Sequence, residues 1–246
     1  LTWKNTSADL IKYRKGRWWF HVVMETETPT IEVTNEVIGI DLGIVNPATD
    51  NRANFYGSKH WKNIEDNIFQ LRRRHQKKGT KSAKRHLKKL SGRQRRFRKD
   101  CDHVLAKRIV ESVKSGATIV FEDLTNIRGT AKVRKQQKRR LHGWSFAQLQ
   151  TFAEYKASAK SVKIEFLDPR YTSQKCSVCG HISRSNRKTQ ADFKCTKCNH
   201  ESNADINAAT NIRNDYLKLY WASVNEPNAV RHSMELEQQA CVKERR

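Results

Sequence analysis

Apolar residues in this chain gather into short dense runs, separated by longer stretches where they recur every three or four positions. The run Arg17-Trp-Trp-Phe-His-Val-Val-Met24 is aromatic and β-branched and predicts a strand. A polar, Pro-containing linker follows over residues 25–35. Val37-Ile-Gly-Ile-Asp41 does not alternate, which is the pattern of a central strand buried on both faces. Residues 49–54 read as a turn and 53–57 as the next strand. Ile64, Ile68, Leu71 and His75 recur at helical spacing over 62–76. A second helical stretch runs from 81 to about 114 and stops at Gly116, with an interruption expected near Ser91-Gly92. Val104, Leu105, Ile109 and Val113 share one side of it. Residues 117–122 predict another buried strand, 144–160 a helix bearing Phe146, Leu149, Phe152 and Tyr155, and 162–167 a third strand closed by Asp168-Pro169. After a Cys-rich insert, 204–220 returns to helix, and from Ala222 onward no packed face is evident. Strands alternating with helices predict an α/β core.

Charge narrows the partners. The 246 residues carry 49 Lys or Arg against 25 Asp or Glu, a formal net charge of +24. A field that lopsided favours polyanions, since phosphates gain most from dense Lys and Arg. Between Arg72 and Lys99, fifteen of 28 residues are Lys or Arg and none is acidic. Fifteen like charges repel strongly without a polyanion beside them, so this run is expected to contact phosphates, which fixes position without reading sequence. The candidates are Arg72, Arg73, Arg74, Lys77, Lys78, Lys84, Arg85, Lys88, Lys89, Arg93, Arg95 and Arg96. A second cluster, Lys132 to Arg140, has Trp144 and Phe146 nearby as candidates for base stacking, although both also suit a core. No apolar run is long enough to cross a bilayer, no N-terminal stretch reads as a signal peptide, and no membrane or small-molecule partner is expected.

Six cysteines in a chain without a signal peptide point to metal or free thiols. Cys176-Ser-Val-Cys179 and Cys195-Thr-Lys-Cys198, fifteen residues apart, have the spacing of a four-thiolate zinc site. Two disulfides or four unrelated thiols are the plainer alternatives. Four Cys ligands leave no open position, so one zinc ion would hold the fold and take no part in hydrolysis. Lys175, Arg184, Arg187, Lys188, Lys194 and Lys197 are expected to lower the thiol pKa values. His181 and His200 lie close behind the pairs as possible substitutes, and Cys101 and Cys241 read as free thiols.

Acidic residues are few, so their positions are informative. Asp41 closes the strand Val-Ile-Gly-Ile, and Glu122 closes Thr-Ile-Val-Phe. Asp205 leads a helix whose apolar face reads Ala208, Ala209, Ile212, Tyr216, Leu219. Buried carboxylates need partners, and a divalent cation is an economical one. Together the three could hold two Mg²⁺ (or Mn²⁺) ions for in-line attack on a phosphodiester. Alternatively, Asp205 complements its helix dipole, and Asp41 and Glu122 sit in strand-end turns or salt bridges.

Four segments in order resemble the TnpB proteins, which are the OrfB proteins of insertion sequences and relatives of type V CRISPR effectors. They are Val37-Ile-Gly-Ile-Asp41-Leu-Gly43; Ile119-Val-Phe-Glu122-Asp-Leu124; Asp168-Pro-Arg-Tyr-Thr-Ser-Gln-Lys-Cys-Ser-Val-Cys-Gly180; and Asn203-Ala-Asp205-Ile-Asn-Ala-Ala-Thr-Asn-Ile212. The resemblance covers roughly residues 10–215. It implies an α/β, RNase H-like (RuvC-like) mixed sheet flanked by helices, with an inserted zinc ribbon. It also implies a nuclease that cuts a DNA target under a guide RNA transcribed from the element's end. The family's catalytic carboxylates fall on Asp41, Glu122 and Asp205, and its zinc ligands on Cys176, Cys179, Cys195 and Cys198. Asp123 and Asp168 match neighbouring motif positions and read as structural.

The expected organisation is terminal strands of an upstream wedge-like β-barrel and a linker over 1–36, with most of the family's longer N-terminal region absent. A RuvC-like domain over 37–172 then carries a basic helical insert at 62–115, followed by a zinc ribbon at 173–200, a closing helix at 201–220 and a loosely ordered tail at 221–246. Two alternatives share the fold: a non-cutting RNA-guided DNA-binding protein, and a transposase that joins strands with the same carboxylates.

Overall fold

The computed structural model describes residues 4–13, 16–25, 34–125 and 146–225. The cluster at 132–140, Trp144 and Cys241 lie outside them.

A five-stranded mixed sheet forms the centre, in the order β5 (Phe55–Tyr56), β4 (Ala48–Asp50), β3 (Val37–Asp41), β6 (Thr118–Glu122), β7 (Lys163–Leu167). β3, β6 and β7 are parallel, while β4 and β5 add antiparallel at the β3 edge. This is the RNase H-like arrangement. Ile38, Ile40, Ile119 and Phe121 point to one face, where they pack with Leu105 and Ile109 of α2 (Lys81–Glu111) and Leu149 and Ala153 of α3 (Phe146–Ala159). The opposite parity, Gly39, Asp41, Val120 and Glu122, faces α4 (Ala204–Asn225). The alternation therefore places both strand-end acids on the α4 face.

Gly39 sets how closely α4 approaches. A Cβ built there would lie 2.2 Å from the Ala209 carbonyl oxygen and 2.6 Å from the Arg213 nitrogen. Only glycine admits that contact. Arg213 Nε then donates to the Val37 carbonyl at 3.0 Å, so α4 runs antiparallel to β3. Four helical residues back from Ala209 is roughly 6 Å, and two strand residues on from Gly39 is about 6.6 Å. Those matched steps bring Asp205 level with Asp41.

Two stretches differ from the sequence reading. Residues 49–54 are not simply a turn, because Thr49 and Asp50 belong to β4, with Asp50 opposite Ile40. Asp50 is fully buried, and its carboxylate accepts from the Arg52 and Asn54 amides, Asn54 Nδ2 and the Tyr56 hydroxyl at 2.8–2.9 Å. A buried acid thus organises the β4–β5 turn. The second helical stretch is also unbroken at Ser91-Gly92. An interior glycine costs about 1 kcal/mol; here α1 (Lys59–Lys78) braces the helix across that point, through Arg72 Nη1 to Gln94 at 2.8 Å and an Arg98–Glu65 pair. Gly79, in the left-handed region at φ 64°, ends α1, and Thr80 caps α2, so the two helices form an antiparallel hairpin. Leu71, expected to be apolar packing, is 40% exposed. Upstream, β1 (Lys4–Tyr13) and β2 (Arg17–Glu25) pair as an antiparallel hairpin exposed on both faces. No helix among the described residues is long and apolar enough to cross a membrane.

Candidate active site and metal centre

Parallel register places Ile40 beside Phe121, and the next step sets Asp41 beside Glu122 at the C-terminal edge of the sheet. Asp205 is 5% exposed and Glu122 6%. Asp41 is half-buried. Burial raises the Asp41 carboxyl well above its ordinary range, and the negative charges of Glu122 and Asp205 push it higher still, with Arg187 opposing. Burial likewise lifts Glu122 to about 7, against the hydrogen bond from Thr172 and the charge of Arg187. The three sequence-predicted acids are therefore close enough to feel one another. Asp123 and Asp168 are not part of the cluster: each is exposed and caps its own turn, Asp123 accepting from the Thr125 amide at 3.0 Å and Asp168 from the Arg170 amide at 2.9 Å.

Several neighbours escaped sequence reasoning. Arg187 Nη2 stands 3.2 Å from Asp205 Oδ1, so a side chain that read as zinc-ribbon charge belongs to the carboxylate cluster. Asn46 Nδ2 donates to Asp205 Oδ2 at 2.8 Å. Thr172 Oγ1 donates to Glu122 Oε1 at 2.6 Å, and Asn211 Nδ2 in turn holds the Thr172 carbonyl at 2.8 Å. Thr49, directly across from Asp41, is fully buried, and its hydroxyl has no hydrogen-bond partner among the described residues. Adjacent carboxylates with raised pKa values, a guanidinium drawn in among them and an orphaned hydroxyl beside them fit a divalent-cation site.

The raised values fix a pH dependence. The folded, cation-free chain holds the Glu122 proton more tightly than the unfolded chain does. The resulting stability is fully present below the ordinary value of 4.5 and is lost as pH rises towards about 7. The loss is about 3 kcal/mol at most. The midpoint of thermal unfolding should fall between pH 5 and pH 7.5 more steeply in wild type than in Glu122→Gln, and Mn²⁺ should restore it only in wild type. Identical pH profiles for the two proteins would contradict the placement.

The cysteines form a separate centre. Sγ atoms of Cys176, Cys179, Cys195 and Cys198 all lie within 4.8 Å of one another, with Cys176–Cys198 at 3.7 Å and Cys179–Cys195 at 3.5 Å. Zinc bound tetrahedrally at 2.3 Å requires sulfurs about 3.8 Å apart, so the set fits the ion, and the distances are too long for disulfides. The two loops are built alike. The Cys176 amide donates to the His181 carbonyl and the Cys195 amide to the His200 carbonyl, each at 2.9 Å. Gly180 and Asn199 take positive φ at matching positions. His181 and His200 thus serve through their backbones, and no imidazole joins the cluster. The expected lowering of thiol pKa by surrounding Lys and Arg is not what acts at Cys195. Burial pushes that thiol up, and the Cys198 and Lys197 amides outweigh it, bringing it to about 6. Lys175, Arg187 and Lys194 are engaged with Asp215, Asp205 and Glu201. Cys101 lies elsewhere, buried, its thiol pushed to about 12 by burial and then by Asp102.

The ribbon is also tied to the carboxylates. The Asn207 amide group bridges the Ser177 nitrogen and the Lys175 carbonyl, and Asn211 takes the Lys175 carbonyl as well. Asn203 caps α4 by accepting from the Asp205 amide at 3.0 Å. The fully buried Asn186 clamps both cysteine loops through Gln174, His181 and Thr196, one residue before Arg187.

An RNase H-like sheet with acids at its strand ends and a four-cysteine ribbon inserted before the last helix defines the structural class. A family model described as "Probable transposase" matches residues 21–141, and one described as "Cas12f1-like, TNB domain" matches 146–212. The chain belongs to the TnpB/OrfB family. It is 34% identical over 218 residues to the CRISPR-associated endodeoxyribonuclease Cas12f1 of Sulfoacidibacillus thermotolerans, covering 81% of this chain and 50% of that protein. It is 35% identical over 156 residues to a TnpB-like protein of Methanocaldococcus jannaschii, covering 61% and 55%. The chain thus spans about half the length of these curated relatives. Among solved structures, it matches a complex of Cas12f1 with single-guide RNA and target DNA at a TM-score of 0.57 and 25% identity, over 87% of this chain and 65% of that one.

Proposed function

We propose that this chain is a RuvC-like, metal-dependent DNA endonuclease of a mobile element, directed to its target by an element-encoded guide RNA. The convergence of Asp41, Glu122 and Asp205 on the α4 face, with the Asp41 and Glu122 carboxyls raised, carries the reading. The named relatives, an endodeoxyribonuclease and a TnpB-like protein, support it.

Asp41, Glu122 and Asp205 would hold two Mg²⁺ or Mn²⁺ ions, which supply an activated water and charge stabilisation at the leaving oxygen. Thr172 and Asn46 fix the rotamers of Glu122 and Asp205, so the ligands are oriented before substrate arrives. Arg187, at the edge of the cluster, supplies a guanidinium able to pair with the scissile phosphate. A zinc ion held by Cys176, Cys179, Cys195 and Cys198 would keep the Arg187 loop in place. The test is single-turnover cleavage of target DNA by this chain with element-end RNA in Mg²⁺; equal cutting by wild type and Asp41→Asn would refute the assignment.

The helical hairpin supplies the polyanion surface in this reading. Arg73, Arg74, Lys77, Lys78, Lys84, Arg85, Lys88, Lys89, Arg93, Arg95 and Arg96 are all exposed, whereas Arg72 is half-buried on Gln94. Phe146, a stacking candidate, is 4% exposed and packs in the core instead. Changing Arg73, Arg74, Lys77 and Lys78 together to Gln should weaken binding to all sequences alike. The slope of log K against log salt should flatten by up to about 3. An unchanged slope would mean that these side chains meet only solvent.

A further inference from the structure

The three carboxylates are not equally held. Thr172 Oγ1 donates to Glu122 at 2.6 Å and Asn46 Nδ2 to Asp205 at 2.8 Å, so two of them have a donor that fixes their orientation. The Asp41 carboxylate has no hydrogen-bond partner among the described residues. Beside it stands a donor in the same condition. Thr49 is fully buried, and its hydroxyl also lacks a partner among the described residues. Thr49 pairs with Asp41 on β3 and with Phe55 on β5, so the three side chains share the α4 face of the sheet. Ala48, its neighbour in sequence, points the other way, into the core shared with α2 and α3.

Of the two cross-strand neighbours of Thr49, only Asp41 carries an acceptor. Side chains paired in this way start about 5 Å apart at Cβ, and a rotation of the carboxylate closes that gap to hydrogen-bonding distance. A buried strand position suits valine better than an unsatisfied hydroxyl, which costs stability. Such a group in a folded protein calls for a reason, and the facing carboxylate supplies one. We infer that Thr49 is a positioning residue for Asp41: when the three acids hold a divalent cation, its hydroxyl donates to the Asp41 carboxylate and fixes it as a ligand, as Thr172 does for Glu122. The inference rests on the proposed cation site and deepens it, giving the third acid its outer partner. The hydroxyl is then a cost to the cation-free fold and a gain to the cation-bound one.

The experiment compares wild type, Thr49→Val and Thr49→Ser as zinc-loaded chains at pH 7.5 without nucleic acid. Two quantities are read: the midpoint of thermal unfolding with no Mg²⁺ or Mn²⁺ added, and the dissociation constant for Mn²⁺, from free ion seen by electron paramagnetic resonance. Valine keeps the shape and removes the hydroxyl. Thr49→Val should therefore melt about 2–4 °C higher than wild type, yet bind Mn²⁺ about tenfold more weakly. Serine keeps the hydroxyl and removes the methyl, so Thr49→Ser should melt lower and bind Mn²⁺ with nearly wild-type affinity. A threonine that only packs would move the melting point alone. Unchanged Mn²⁺ affinity in Thr49→Val, a lower melting point in that variant, or an equal loss of affinity in Thr49→Ser would overturn the inference. Wild type that took up no Mn²⁺ would condemn the cation site and this role with it, whereas equal uptake by wild type and Thr49→Val would condemn the role alone.

Discussion

Asp205→Asn should abolish cleavage, by at least about a thousandfold in single-turnover rate, while leaving nucleic-acid affinity nearly unchanged. Asp41→Asn and Glu122→Gln should do the same, and combining them should cost little more, because groups that act as one unit fail together. Affinity should be spared because the exposed Lys and Arg proposed to contact phosphates lie on the α1–α2 hairpin, on other elements. It should change little at Asp41 and Glu122 even without added cation, since burial already favours the neutral acid at both. Activity should need Mg²⁺ or Mn²⁺ and fail with Ca²⁺, whose looser shell suits in-line geometry poorly. Gel analysis of quenched time courses, together with filter binding of the same proteins, separates the two effects. Cutting by Asp205→Asn at the wild-type rate would remove the third ligand from the account.

Cys195→Ser should release the zinc and unfold residues 173–200. Metal binding and ribbon folding are one event, since a closed set of four thiolates contributes on the order of 10 kcal/mol to a small metal-held unit. The apolar cluster there is only Cys176, Phe193, Cys195 and Ala204, too few to hold the ribbon alone. The consequence reaches the carboxylates, because Arg187 rests on Asp205 and the Lys175 carbonyl is held by Asn207 and Asn211 of α4. Zinc content near one per chain in wild type, with little in the variant, should accompany lost protection of the 173–200 amides. A cleavage defect should appear even in excess Mg²⁺. Equal zinc in both proteins, or full activity in a zinc-free one, would break that link.

Much of this arrangement was legible in the sequence for a definite reason. Asp41 and Glu122 end short continuous apolar runs, and a strand packed on both faces has few other spellings. The cysteine spacing names its own geometry. What remained hidden depends on contacts between distant segments. Gly39 reads as one small residue in a strand, yet it is where α4 touches the sheet, and so it decides that Asp205 meets Asp41. Arg187 is one of many basic residues in its neighbourhood, and only the fold distinguishes it. Thr49 looked like part of a turn because the acid that shapes that turn, Asp50, is itself buried. Asn207 and Asn211 interrupt an otherwise apolar helix face; two buried amides there were a signal that a backbone segment needed partners. The helix persisted through Ser91-Gly92 because α1 braces it, a tertiary effect that local propensity does not contain.

Divalent-cation uptake by the chain itself tests the central claim most directly. Mn²⁺ is titrated into zinc-loaded wild type and into a protein carrying Asp41→Asn, Glu122→Gln and Asp205→Asn, at pH 7.5 without nucleic acid, and free ion is read by electron paramagnetic resonance. Wild type should take up Mn²⁺ and the triple variant should not, with zinc content and folded signal the same in both. Equal uptake by the two proteins would show that the three carboxylates are not the cation site.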